Sequence, residues 1–108
     1  SVTHRYGFPT LSHDYLPLFK MKAYLNLREA RANGEPVRSG EIGKHRRDIF
    51  RLCSLLPPTI RVELPGALRT DVKEFVEIVE CPPHFMKDIG LAAYAPEEVK
   101  EIIIRTYL

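Results

Sequence analysis

Apolar side chains recur at three- and four-residue spacing along most of the chain, a rhythm that predicts helices. The first run, YLPLFKMKAYLNLREARA, carries Leu18, Met21 and Leu25 on one side and Leu16, Phe19, Ala23 and Leu27 on another. A helix apolar on two sides belongs at the centre of its domain. Ser12 suits its N-cap, and Asn33-Gly34 stops it after Ala32. Beyond the polar connector GEPVR, Ser39 caps a second helix that reaches Leu56, where Pro57-Pro58 end it. Ile42, Ile49, Leu52, Cys53 and Leu56 fall on one stripe of that helix. A third helix follows Pro65-Gly66, with Val72, Phe75, Val76 and Val79 in helical register, and stops before Cys81-Pro82-Pro83. Residues 84 to 91 have room for one short helical turn. The last helix opens at Pro96, where the missing N–H costs nothing, has Glu97 and Glu98 at its positive end, and runs to about Thr106. Two stretches break the rhythm. TIRVEL (59–64) alternates as a short strand does, and Val2 to Tyr6 reads as a second strand or an extended arm. The expected fold is mainly α: one helical domain over 1–108, a small bundle of about four helices with one or two short strands.

Charge refines this picture. The stretch KHRRDIF (44–50) has four basic or titratable side chains, but the helical wheel splits them. Lys44, Arg47 and Arg51 project away from the apolar stripe, as solvated charges do. His45 falls inside the stripe, where a hydrogen-bonded core histidine is expected, and Arg46 and Asp48 lie at its margins. A charge that is not fully exposed needs a partner. For Asp48 the local candidates are Lys44 and Arg51. In the first helix, Lys20 and Lys22 each sit among apolar neighbours. Each either snorkels to water or delivers its ammonium to a cleft that could hold a phosphate or carboxylate.

A net charge of +2 is small for a general nucleic-acid binder. RNA binding through Lys44, Arg46, Arg47 and Arg51 is a weak expectation, because only Phe50 lies near them as a stacking ring. His4, His13, His45 and His84 have no metal-ligand spacing, and the neighbours Ser12, His13 and Asp14 face different ways on a helix, so neither a metal site nor a catalytic triad is expected. Cys53 and Cys81 are expected as free thiols. No apolar run approaches the roughly 18 residues of a membrane span, and the opening residues lack a signal-peptide layout. The expected setting is the cytoplasm, with no membrane partner.

The pairing of PLFKMKAYLNL (17–27), a short polar connector and KHRRDIFRL (44–52) resembles the C-terminal helical region of bacterial nucleotidyltransferase-like proteins related to the AbiEii-type abortive-infection toxins of type IV toxin–antitoxin systems. The similarity covers about residues 7 to 80. It implies that Lys20, or Lys22 in the competing alignment, contacts nucleotide phosphate. It further implies that Asp48 holds that lysine or its helix in place, and that His45 and Arg46 order the site. Where related toxins often carry a second acid after R-D, this chain has Arg51. The family's metal-holding acids come from a Gly-Ser turn followed by D-x-D, and neither is present here. Mg²⁺ and a nucleoside triphosphate are therefore implied for a parent protein and not for this chain alone, which is expected to be its non-catalytic C-terminal portion. The expected partner is a missing N-terminal catalytic domain or a separate chain carrying it. The competing expectation is a non-catalytic interaction or dimerisation domain, because Ile102, Ile103 and Ile104 cannot all face one core.

Overall fold

The computed structural model describes residues 15–38 and 40–108. Five helices follow in order: α1 (Leu16–Ala32), α2 (Glu41–Ser54), α3 (Gly66–Ile78), α4 (Phe85–Asp88) and α5 (Pro96–Tyr107). The proposed caps Ser12 and Ser39, the arm at Val2 to Tyr6, and His4 and His13 lie outside the described residues. At its described start α1 has Tyr15 at the N-cap and Pro17 just inside, where proline's fixed φ suits a first turn. Its last turn closes through the Asn33 and Gly34 amides onto carbonyls of 29–31. Gly40 precedes α2 with φ 83°, a left-handed conformation that glycine adopts without a Cβ clash. In α5 the Ala95 N–H donates to the Glu98 side chain at 2.7 Å. That is half of a capping box, since alanine has no oxygen to return the bond.

The helices pack because each turns its apolar stripe inward. α1 lies against α2 and α3, and α5 lies against the same two from another side. Met21, Tyr24, Ile49, Phe50, Cys53, Phe75, Val99 and Ile103 are completely buried. Two edge-on ring pairs fix the layers. Tyr24 meets Phe75 at 5.2 Å between centroids, joining α1 to α3, and Phe50 meets Phe85 at 5.3 Å, joining α2 to α4. Truncating Phe50 or Phe75 to alanine is expected to cost about 3–5 kcal/mol.

Three expectations are corrected. TIRVEL forms no strand, and none occurs among the described residues. Its start is a turn, in which the Ile60 N–H donates to the Pro57 carbonyl at 3.2 Å, and no strand lies beside it among the described residues. Instead the Val62 N–H donates to the Thr106 carbonyl at 2.8 Å and the Arg61 guanidinium to that of Arg105, so it lies along the end of α5. The second helix stops at Ser54, two residues early, because the amides of Leu55 and Leu56 turn back onto Leu52 and Cys53 in a tighter closing turn. Phe50, left off the apolar stripe and set near the basic cluster, is completely buried with its ring edge-on to Phe85 of α4, so it offers RNA no stacking face.

The isoleucine triplet divides as expected, with Ile103 buried, Ile102 half-buried and Ile104 exposed. No helix among the described residues is long and apolar enough to cross a membrane.

Candidate functional site

α1 and α2 are consecutive helices joined by a short connector, and they run side by side. That brings the N-terminal half of α1 beside the middle of α2, where Lys20 and Asp48 meet. The Lys20 ammonium donates to Asp48 Oδ2 at 3.1 Å, although 28 residues separate them in sequence. The pair is neither sealed nor free, with 24% of the lysine side chain and 28% of the aspartate side chain exposed. Asp48 pairs with neither Lys44 nor Arg51 among the described residues, so the cross-helix contact wins over the local ones. A lysine ammonium has three N–H donors. Asp48 takes one, and the others remain available to an anion arriving from solvent. Asp48 restrains the long lysine stem, which otherwise samples many rotamers.

Lys22 serves a different contact. It reaches α3 and pairs with Asp71 at 3.2 Å, with its own side chain 55% exposed. Two residues along a helix turn a side chain to another face, so the two lysines do not converge.

His45 and Arg46 have separate surroundings. His45 is half-buried, as the stripe predicted, but its Nδ1 is buried without a hydrogen-bond partner among the described residues. The expected hydrogen bond is therefore missing at that nitrogen. Arg46 lies with its guanidinium carbon 5.1 Å above the Phe85 ring and donates Nη1 to the Glu80 carbonyl at 3.1 Å. It thereby ties α2 to the stretch between α3 and α4, a contact across 34 residues that helical periodicity cannot reveal. Arg51, expected to be wholly solvated, is exposed yet donates Nε to the Ile89 carbonyl at 3.2 Å. Lys44 and Arg47 are exposed as expected.

Both cysteines are free thiols. Burial drives the Cys53 thiol far above its ordinary range. Burial also raises Cys81, against the lowering influence of Lys100 and Arg46. Neither behaves as a poised nucleophile. No three His, Cys, Asp or Glu side chains gather as a metal-ligand set among the described residues.

The chain matches no family model, no curated protein and no solved structure.

Proposed function

We propose that this chain is an accessory helical domain of a nucleotidyltransferase-like protein, in which Lys20, held by Asp48, contacts a phosphate of the bound nucleotide. The observation that supports it most is the Lys20–Asp48 contact itself: a cation steered by a carboxylate from the neighbouring helix at a partly open position. Such an ammonium matches a phosphate oxygen as a compact point charge. The described residues do not fit Mg²⁺, because Asp48 is engaged by Lys20 and no further carboxylates gather beside it. Metal and catalytic acids would belong to another domain or chain, within a cytoplasmic protein related to type IV toxins. His45 and Arg46 would order α2 behind the pair.

A second reading, a non-catalytic interaction or dimerisation domain, is favoured by one observation. Tyr15, Leu18, Phe19, Ala67 and Leu68 line an apolar groove of about 310 Å³ between the starts of α1 and α3. Phe19 in it is 59% exposed, although the ring is large and uncharged.

The test is nucleoside triphosphate binding by the protein that carries this chain, comparing Lys20→Ala, Asp48→Asn and Lys22→Ala. Lys20→Ala is expected to weaken binding about tenfold or more, as loss of a charge-assisted hydrogen bond does. Asp48→Asn should have a smaller effect and Lys22→Ala little. Unchanged affinity in the first two removes the assigned roles. If light scattering at micromolar concentration then shows a dimer that Phe19→Ser dissociates, the second reading stands in its place.

A further inference from the structure

A concavity lined by three arginines lies away from the Lys20–Asp48 pair. Arg28, Arg31 and Ala32 from the end of α1 face Gly40, Ile42, Gly43 and Arg46 from the start of α2, with Glu80 on the rim. The space between them is about 480 Å³, within the size range of small-ligand sites. Eight residues of helix separate Lys20 from Arg28, about 12 Å along the axis, so this is a distinct location.

Arginine heads crowd together at a cost unless something negative lies among them. Here three arginines line the cleft with one glutamate, and none of the three is ion-paired among the described residues. Two of the heads rest on rings: the Arg28 guanidinium carbon lies 5.7 Å from the centre of the Tyr24 ring, and that of Arg46 lies 5.1 Å from the centre of Phe85. A ring face offsets part of each charge, but no carboxylate pairs with either head among the described residues. Arg46 uses Nη1 on the Glu80 carbonyl, while its buried Nε has no partner among the described residues. On the α2 side a Cβ at Gly40 would meet nothing within 4 Å, while one at Gly43 would meet the guanidiniums of Arg47 and Arg46 at 3.6 and 3.7 Å. The first turn of α2 adds a weak positive field to the three full charges.

We infer that this cleft is a phosphate-binding site, which takes a phosphate of a nucleotide or of an RNA backbone between Arg28, Arg31 and Arg46. Planar guanidinium groups bind tetrahedral phosphate through paired N–H donors. Glu80 opposes binding by a single charge and lies beside the group that it would repel. The inference stands independently of the role proposed for Lys20, since it uses other residues.

The test titrates the full chain with pyrophosphate and, separately, with a short single-stranded RNA, following the backbone amide signals of Gly40, Ile42 and Gly43. Saturable shifts centred on those amides are expected for at least one of the two ligands, and the tighter one identifies the source of the phosphate. Arg31→Glu, an exposed position whose exchange leaves the core intact, should weaken binding about ten- to hundredfold. Glu80→Gln should strengthen it. Lys73→Glu, an exposed position on α3 outside the cleft that changes net charge equally, should change it by no more than about twofold. Lys20→Ala should leave it intact, which separates this site from the paired lysine. The inference is overturned if neither ligand shifts these amides. It is equally overturned if Lys73→Glu matches Arg31→Glu, because the attraction would then be that of overall charge alone.

Discussion

Replacing Lys20 by methionine and Asp48 by asparagine, singly and together, isolates the contact on which the functional proposal rests. Methionine keeps most of the lysine stem and asparagine keeps the aspartate shape, so packing changes little and charge changes most. Two unit charges at the observed 3.1 Å attract by about 5 kcal/mol at an effective dielectric of ~20, and by about 1 kcal/mol in water. About a quarter of each side chain is exposed, which places the pair toward the solvated limit. Desolvation and the lost rotamer freedom of lysine oppose the attraction further. The expected coupling is about 1 kcal/mol, at the upper end of what solvent-accessible pairs give. Lys20→Met alone should cost more than Asp48→Asn, because a short carboxylate cannot reach out to water as a long ammonium can. Urea unfolding of the four proteins measures this, at low salt and at about 0.5 M salt. At least half of the coupling should survive the salt, since partly buried charges are screened less than exposed ones. A coupling below about 0.3 kcal/mol, or one wholly abolished by salt, would refute the reasoning: Lys20 would then be an ordinary surface lysine that no carboxylate positions.

Two further outcomes follow from buried groups. The folded state holds the Cys53 thiol protonated at pH values where the unfolded chain, with a thiol near pH 8.5, ionises. The contribution of that thiol is complete below about pH 8.5 and declines as pH rises, by up to about 1.4 kcal/mol per pH unit. Denaturant unfolding of wild type and Cys53→Ala between pH 8 and 10 should show the stability gap shifting against the wild type as pH increases, and a constant gap would contradict the burial. Thr106 is completely buried, and its hydroxyl has no hydrogen-bond partner among the described residues. Thr106→Val removes the stranded oxygen at nearly constant volume, so it is expected to stabilise by about 1 kcal/mol, raising Tm by about 4–8 °C in a thermal melt.

The helices were legible in the sequence because their stripes are regular and their ends are punctuated. Pro57-Pro58 and Pro96 mark boundaries found within a few residues of where they were expected. TIRVEL misled because alternation reports a segment with two different sides and says nothing about whether a second strand lies alongside. Phe50 misleads because it lies beside the obvious stripe of α2, whereas its ring is buried against Phe85 of α4. Lys20 and Asp48 could be named from the family resemblance, but spacing alone favoured the nearer partners Lys44 and Arg51. Only the packing of α1 on α2 decides among them. The arginine cleft was illegible for a related reason. Arg28 and Arg31 look like ordinary exposed charges on α1 until the start of α2 is set beside them.

The closing turn of α5 accepts three bonds from one upstream stretch: from the Val62 amide to Thr106, from Arg61 to Arg105, and from Arg69 to the Leu108 carbonyl. The last helix therefore cannot fray by itself, since unwinding its final turn also strips the 61–69 stretch of its anchors. In hydrogen exchange the Val62 amide should open together with the end of α5, despite the more than forty residues between them. The molecule is clasped there, and a tug on either strap loosens both.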